Sequence, residues 1–313
     1  MIEVAGLTKH FGKTKAVNGL SFQVRPGLVT GFLGPNGAGK TTTMRLILGL
    51  DRPTSGTAIV NGVPYAGLRA PLTQVGSMLD ARGVHGGRTA YAHLLSLAQS
   101  NGISRTRIDQ VLEMTGLATV ARKRVKGFSL GMSQRLGIAA ALLGDPRVLM
   151  FDEPINGLDP EGIRWVRTLL KGFAAEGRTV LLSSHIMSEM EGLADHLIVI
   201  GRGELVADTT TGDLIAHSSQ GYTRVRTPEL ARLRELLVAE GAQVAEGDDE
   251  LRVTGMEIER IAGVASRAGV PVYELAPMRA SLETAFMELT AVDVEFRAGQ
   301  DGTRTAENRE VSR

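Results

Sequence analysis

One eight-residue segment, Gly34-Pro-Asn-Gly-Ala-Gly39-Lys40-Thr41, constrains the fold of this chain more than any other feature. It satisfies the pattern G-x-x-x-x-G-K-[ST] in full. The mostly apolar run at 28–33 predicts a short buried strand before it, and a helix is predicted after it, from about 40 to 48. A strand, a glycine-rich turn and a helix in this order form a recurring unit of α/β folds. The sequence therefore predicts an α/β domain built around this loop.

The loop also has the chemistry of a phosphate-binding site. Its three glycines let successive backbone N–H groups point to one centre, and the following helix adds its positive N-terminal dipole. Lys40 would supply a point charge to the β- and γ-phosphates, and the Thr41 hydroxyl would ligate Mg²⁺. The predicted nucleotide-binding residues are Gly34, Pro35, Asn36, Gly37, Ala38, Gly39, Lys40, Thr41 and Thr42. A turn that binds nothing is the alternative, and the loop alone does not distinguish a kinase, a GTPase, a helicase or a transporter motor.

Composition narrows the classes of protein to consider. The chain has 313 residues, 43% hydrophobic and 22% charged, which is typical of a globular protein large enough for two domains. Its 35 basic and 34 acidic residues give a net charge of +1, which argues against a nucleic-acid partner. The absence of cysteine excludes disulfides and thiolate metal sites. No apolar run has the length of a membrane span and no secretory signal is visible, so we expect neither.

Strand and helix signals alternate along the first two thirds of the chain. Short apolar strands are predicted at 148–151, 180–182 and 197–200, with helical stretches between them. This alternation predicts a mainly parallel sheet covered on both faces. The apolar spacing between about 85 and 143 is helical and indicates a helical insertion. A tight glycine turn should then lead into a last strand at 204–207.

A polar segment that begins at Ser218 indicates a domain boundary. We predict a first domain over 1–217 and a smaller α+β domain over 218–291, whose helices have regular apolar faces. The acidic run at 246–250 predicts a solvated hairpin turn, with a metal site as the alternative. Residues 292–313 are polar and charged, which predicts a disordered tail.

Two adjacent carboxylates, Asp152 and Glu153, end the predicted strand at 148–151. Successive side chains of a strand point to opposite sides, so one carboxylate can complete the shell of Mg²⁺ while its neighbour faces an attacking water. We assign Asp152 to the metal and Glu153 to the general base. An acidic pair that merely caps the next helix is the alternative.

A histidine, His185, ends the next apolar strand. Parallel α/β sheets place their sites at the carboxyl ends of strands, so His185 should lie near the carboxylate pair. An imidazole there can sense the γ-phosphate or hold the water in place, which gives His185 a predicted catalytic role. An ordinary surface histidine is the alternative.

Together these motifs resemble those of the nucleotide-binding subunits of ABC transporters, over residues 1 to about 217. The resemblance implies a P-loop ATPase cassette with an N-terminal antiparallel β part, a mainly parallel sheet and a helical subdomain. It also implies ATP as the nucleotide and Mg²⁺ as its metal. The first domain is therefore expected to be an ATP-hydrolysing cassette.

The resemblance assigns further residues to the nucleotide. In the family an aromatic residue upstream of the phosphate loop stacks on adenine, and Phe11 holds the matching position. The segment FSLGM matches the signature motif that closes over the partner chain's ATP, through Ser129 and Gly131. The segment NGLDP resembles the D-loop that contacts the partner and contains Asp159. Asp159 is also well placed to cap the following helix, so a local structural role accompanies the functional one.

The chain departs from the family pattern at two motifs. Leu130 and Met132 replace a glycine and the glutamine of the usual signature. The Q-loop glutamine, which in the family meets Mg²⁺ and the permease, is replaced by Asp80. A carboxylate can also bind Mg²⁺, directly or through water. Asp80 is therefore a predicted metal ligand beside Thr41 and Asp152, with a polar loop residue as the alternative.

The family mechanism implies partners. Each nucleotide lies between one phosphate loop and the partner's signature motif, so the chain is expected to form a homodimer or a heterodimer with a similar chain. The motor is expected to act on separately encoded permease subunits, at the cytoplasmic face of the cell membrane.

The nature of the cargo follows from a finer resemblance, to the ATPases of bacterial drug and antibiotic exporters of the daunorubicin-resistance and bacitracin-resistance kind. We therefore expect export of a drug, an antibiotic or another hydrophobic compound. Export of a lipid, ion or peptide is the alternative within the class. A soluble ABC protein of translation or DNA repair is the alternative outside it, although the second cassette or long coiled coil usual there is not visible.

Overall fold

A computed structural model describes residues 1–81, 83–217, 222–247, 249–278 and 282–283. The chain forms two compact units, Met1–Thr211 and Gly212–Arg313. The first unit thus ends six residues before the predicted boundary at 217, at the first residue of a short helix, Thr211–His217. The predicted disordered tail at 292–313 lies outside the described residues.

The described part of the first unit contains nine β-strands and six α-helices. The strands are β1 (Ile2–Phe11), β2 (Thr14–Val24), β3 (Val29–Leu33), β4 (Ser55–Val60), β5 (Val75–Met78), β6 (Val148–Asp152), β7 (Thr179–Ser184), β8 (His196–Gly201) and β9 (Glu204–Thr210). The helices are α1 (Lys40–Ile47), α2 (Ala90–Ser100), α3 (Arg105–Met114), α4 (Leu130–Leu142), α5 (Pro160–Ala175) and α6 (Met187–Met190).

Six strands form the main sheet, in the order β5-β6-β7-β3-β8-β9. Neighbouring strands are parallel except for β8 and β9, which are antiparallel. Every residue of β3 and β7 is buried, as expected for parallel strands that are covered on both faces. The predicted mainly parallel sheet is confirmed. The last strand, β9, is three residues longer than the predicted 204–207.

A second sheet accounts for the N-terminal part. Its order is β2-β1-β4 and both pairs are antiparallel, which confirms the antiparallel β part that the resemblance implied. Phe22 of β2 packs on Phe32 of β3, with ring centroids 5.5 Å apart, so the core of this sheet is continuous with that of the main sheet. Helices α2, α3 and α4 lie within the predicted helical insertion.

Gly76 of β5 shows how closely α4 packs on the main sheet. A Cβ at Gly76 would lie 2.0 Å from the carbonyl oxygen of Ala141 and 2.8 Å from Cγ of Pro146. Gly76→Ala is therefore expected to lower the free energy of unfolding by about 1–3 kcal/mol, the usual cost of overpacking a core. Urea denaturation measures this loss. Gly172→Ala on α5 is the matched control, because a Cβ there meets nothing within 4 Å; equal losses in both variants would contradict the prediction.

The helix α7 (Thr211–His217) precedes a small α+β fold in the second unit. Its elements are β10 (Tyr222–Arg226), α8 (Leu230–Ala239), β11 (Gln243–Glu246), β12 (Leu251–Thr254), α9 (Ile258–Arg267) and β13 (Glu274–Met278). The four strands form an antiparallel sheet in the order β11-β12-β10-β13. Its core is apolar and includes Val225, Leu237 and Ile261. The accessory α+β architecture is confirmed.

The acidic run at 246–250 connects β11 to β12, and the N–H of Gly247 donates to the carbonyl of Glu250 at 2.8 Å, as in a hairpin turn. The described ranges hold no group of three or more acidic, histidine or cysteine side chains placed to share a metal. Within the same ranges, no helix combines the length and apolar character needed to cross a bilayer.

Candidate nucleotide-binding site

The loop between β3 and α1 can be built only with glycine at particular positions. Gly37 and Gly39 have φ of 80° and 103°, a left-handed conformation that side chains oppose. A Cβ at Gly34 would lie 2.4 Å from the carbonyl oxygen of Ile200, and one at Gly39 would lie 2.4 Å from that of Ala16. The pattern of glycines in the sequence is therefore the pattern that the backbone requires.

Lys40 begins α1 and lies inside this loop. Its side chain is buried, with 6% of the residue exposed, and its Nζ donates to the carbonyls of Gly34 at 2.6 Å and Pro35 at 3.2 Å. Burial lowers the pKa of the Lys40 amine, and the charges of Glu153 and Asp152 partly oppose this effect. The loop thus holds a poorly hydrated cation at its centre, which is the environment that favours an incoming anion.

A cleft of about 180 Å³ opens at the loop. It is lined by Ala16, Asn36, Gly37, Gly39, Lys40, Thr41, Thr42 and Glu153. The predicted general base therefore faces the same space as the predicted phosphate-binding residues, although more than a hundred residues separate them in the sequence.

Thr41 and Asp152, both predicted metal ligands, are in direct contact. The Thr41 hydroxyl donates to Oδ2 of Asp152 at 2.6 Å, and the Ser183 hydroxyl donates to the other oxygen, Oδ1. A hydroxyl and a carboxylate are hard oxygen ligands of the kind that Mg²⁺ binds, usually together with water and phosphate oxygens. The two residues therefore fit the metal that the sequence predicted.

Glu153 has a partner for each of its polar groups. Its N–H donates to Oγ of Ser183 at 3.0 Å, its Oε1 lies 2.8 Å from Nδ1 of His185, and its Oε2 accepts from Nδ2 of Asn156 at 3.2 Å. Its φ of 49° is left-handed, a conformation that costs a non-glycine residue energy and recurs at functional sites. The structure brings Glu153 and His185 together, and it adds Ser183 and Asn156, which the sequence analysis did not assign.

Three residues that the resemblance assigned to the nucleotide, Ser129, Asp159 and Phe11, are not among the described residues that line the cleft. Ser129 caps α4, since its Oγ accepts from the N–H of Met132 at 3.2 Å, and Asp159 caps α5 by accepting from the N–H of Gly162 at 2.8 Å. Phe11 is 52% exposed at the end of β1, with Nζ of Lys9 4.9 Å from its ring centroid.

Gly131 and Asp80 were also assigned by the resemblance. Gly131 lies in the first turn of α4, where a Cβ would be 3.3 Å from Leu158. Asp80 is exposed just after β5, whose carboxyl end adjoins that of β6 and hence Asp152. Neither these two nor Phe11, Ser129 and Asp159 are among the described residues that line the cleft. The roles predicted for Phe11, Ser129, Gly131 and Asp159 place them on the adenine or on a partner chain, away from this cleft, whereas the predicted role of Asp80 would bring it to the metal beside Thr41 and Asp152.

A phosphate loop between a buried strand and a helix, facing two carboxylates at the end of another parallel strand of the same sheet, defines a P-loop nucleoside triphosphatase. Sequence comparison identifies the family within this class. The family described as "ABC transporter" matches residues 17–156, an "AAA domain, putative AbiEii toxin, Type IV TA system" matches 123–191, and a "Domain of unknown function (DUF8746)" matches 221–283.

Individual relatives agree with this. The chain is 45% identical to the bacitracin transport ATP-binding protein BcrA of Bacillus licheniformis over 211 residues, 66% of this chain and 69% of that protein. It is 33% identical to the uncharacterized ABC transporter ATP-binding protein YhcH of Bacillus subtilis (strain 168) over 302 residues, 93% of this chain and 96% of that one. A solved "ATP binding subunit of ABC transporter" superposes with a TM-score of 0.63 at 28% identity, covering 69% of this chain and 92% of that one.

The chain therefore belongs to the family of ATP-binding subunits of ABC transporters, and it is an ATPase. The resemblance that the sequence motifs indicated is confirmed.

Proposed function

We propose that this chain hydrolyses ATP to drive export of an antibiotic, a drug or a similar hydrophobic compound through separately encoded permease subunits. The supporting observation is that its cassette is 45% identical to a protein named as a bacitracin transport ATP-binding protein. In this proposal the chain lies at the cytoplasmic face of the cell membrane, bound to the permease.

The nucleotide would be held by the loop described above. The backbone N–H groups of Gly34 and of residues 36–42, together with the Lys40 ammonium, would bind the phosphates, and Phe11 would stack on adenine. Thr41 and Asp152 would hold Mg²⁺, with Asp80 as a further ligand at the same edge of the sheet. When bound, the ion neutralises charge that develops on the phosphate oxygens.

Hydrolysis would depend on the contacts of Glu153. A water oxygen bonds to the γ-phosphorus, the bond from that phosphorus to the bridging oxygen of ADP breaks, and Glu153 accepts the proton of the water. The 2.8 Å contact between His185 Nδ1 and Oε1 fixes the direction of the carboxylate, and Asn156 holds the other oxygen. Glu153 is the proposed base because it faces the cleft that the phosphates would occupy.

The full mechanism would need a second chain. Ser129, Gly131 and Asp159 do not line the cleft of their own chain among the described residues, so their predicted roles fit a nucleotide held by a partner. We therefore propose a homodimer, or a heterodimer with a similar chain. Closure of the dimer on ATP and its opening after hydrolysis would move the permease through the helical insertion and the region of Asp80.

The transport proposal is tested by co-expression with candidate permease subunits from the same genome, in a drug-sensitive host. We expect lower accumulation of at least one compound in a panel that contains bacitracin, other antibiotics, lipids and peptides, and no change with Glu153→Gln as the matched control. Unchanged accumulation across the panel would refute export of these compounds. A decrease confined to lipids or peptides would show that the proposed substrate class is wrong and that ATP-driven export is right.

A further inference from the structure

The first turns of α4 interlock with the loop at 153–158 in the same chain. Leu130, which replaces the usual signature glycine, packs onto Gly157: a Cβ on Gly157 would lie 2.1 Å from Cδ2 of Leu130. One residue further, a Cβ on Gly131 would lie 3.3 Å from Cδ2 of Leu158. The helix and the loop therefore have complementary surfaces, with a side chain of α4 in the space that a glycine leaves open.

Gln134, one turn further along α4, makes the polar part of this contact. It is buried, with 6% of the residue exposed. Its Nε2 donates to the backbone carbonyls of Glu153 and Asn156, both at 3.3 Å. These two residues also bond to each other, since the N–H of Asn156 donates to the carbonyl of Glu153 at 3.2 Å. Gln134 therefore holds the two ends of the turn that carries the proposed base.

The other amide atom of Gln134 shows that this contact has a cost. Its Oε1 is buried and has no hydrogen-bond partner in the described part of the chain. A buried acceptor without a protein partner costs roughly 1–3 kcal/mol, which offsets part of the stability that the two hydrogen bonds of Nε2 contribute. A side chain that breaks a local rule of stability beside a functional site is typical of residues kept for function.

The hydrogen bond from Gln134 helps to hold Glu153 in a strained backbone conformation. A φ of 49° at a non-glycine residue persists only where the surroundings impose it. Ser183 holds the N–H of Glu153, and Gln134 holds its carbonyl. These two bonds fix the peptide planes on either side of the residue and hence the direction of its side chain.

We propose that Gln134 is a positioning residue for Glu153, and that Gln134 and Leu130 join α4 and residues 153–158 into one body. The proposal rests on the dimeric mechanism above, in which the N-terminal end of α4 meets the partner's nucleotide while Glu153 faces its own. ATP bound in one site would then set the base of the other site through α4. The two sites of the dimer would hydrolyse ATP cooperatively for this reason.

Gln134→Leu tests this role, because leucine keeps the packing and removes both the donor and the unpaired acceptor. We expect kcat to fall between about tenfold and a hundredfold, the cost of a misplacement that approaches 1 Å, with KM for ATP changed less than about twofold. The Hill coefficient, which in a two-site dimer cannot exceed about 2, should fall to about 1. The midpoint of thermal unfolding should change little, because leucine removes the unpaired acceptor together with the two bonds that Nε2 donates.

Gln74→Leu is the matched control. Its side-chain amide also donates to a backbone carbonyl, that of Arg69 at 2.9 Å, away from the cleft. It should leave kcat and the Hill coefficient within about twofold of the wild type. If Gln134→Leu lowers only the unfolding midpoint, or leaves kcat and cooperativity at control values, Gln134 is a structural residue and the proposal is wrong.

A double-mutant cycle tests the apolar half of the contact. Gly157→Ala should lower kcat strongly in the wild-type background, where the new methyl group meets Leu130. In a Leu130→Gly background it should have a smaller effect, limited to the strain of alanine at a φ of 74°. Equal effects in both backgrounds would show that Leu130 and Gly157 are not coupled.

The dimer and the role of Gln134 are tested separately. If the wild-type chain stays monomeric at saturating ATP, the dimeric mechanism and the coupling between sites are wrong, and kcat of Gln134→Leu decides whether Gln134 positions Glu153. If the wild type dimerises and hydrolyses ATP cooperatively while Gln134→Leu does the same, only the role of Gln134 is wrong. Light scattering with ATP and Mg²⁺ distinguishes the two cases.

Discussion

Glu153→Gln is expected to slow ATP hydrolysis at least about a hundredfold, the usual size of a general-base effect. Glutamine keeps the shape of the side chain, so its contacts with His185 and Asn156 can form, but its amide oxygen is too weak a base to accept the proton of water at neutral pH. ATP should then stay bound between two chains, because the step that opens the dimer has been blocked. The variant is therefore expected to run as a stable dimer.

Phosphate release and mass in solution, measured together with ATP and Mg²⁺, check both parts of this prediction. Glu161→Gln is the matched control, because Glu161 is an exposed acid in the first turn of α5 and is not among the residues that line the cleft. It should hydrolyse ATP at the wild-type rate. Normal hydrolysis by a monomeric Glu153→Gln variant would show that both the assignment of the base and the dimer are wrong.

The sequence predicted the parts of the site that local chemistry determines. The phosphate loop was visible because the conformation of Gly37 and Gly39 and the close approach at Gly34 admit only glycine. Asp152 and His185 were visible because each ends a short apolar strand, and the carboxyl ends of parallel strands share one edge of a sheet. The contact between Glu153 and His185 follows from that shared edge.

The contacts that hold the site together were not predicted, since they depend on strand register and on helix packing. Ser183 pairs with Asp152 across β6 and β7, and only that register gives one hydroxyl to both carboxylate residues. No role was predicted for Gln134, because nothing near it in the sequence shows that α4 packs on residues 153–158. The strand β9 was predicted too short because its last three residues, Asp208, Thr209 and Thr210, are polar and continue no apolar pattern.

Lys40→Met is expected to weaken ATP binding by about one to two orders of magnitude, since a charged hydrogen bond is worth about 1.5–3 kcal/mol. The same change should leave the nucleotide-free protein as stable as the wild type, or more stable. The physical reason is that folding buries the Lys40 ammonium and lowers the pKa of its amine, chiefly by desolvation. Methionine fills a similar volume without that cost.

The lowered pKa also determines how this effect depends on pH. The unfolded chain binds a proton on Lys40 more tightly than the folded chain does, so the free-energy cost of burying the ammonium is fully present below the pKa in the folded chain. This cost is relieved as the pH rises through the folded pKa toward the ordinary value of about 10.4. The advantage of Lys40→Met in unfolding free energy should therefore be largest near neutral pH and should shrink in alkaline solution.

Nucleotide titrations and thermal unfolding at several pH values check this prediction, with Lys171→Met on the exposed face of α5 as the matched control. The control should change neither ATP affinity nor the pH dependence of stability. If Lys40→Met instead lowers the unfolding midpoint at neutral pH, the hydrogen bonds to Gly34 and Pro35 outweigh the desolvation of the ammonium. In that case Lys40 stabilises the empty loop, and ATP must displace those bonds before the ammonium can reach its phosphates.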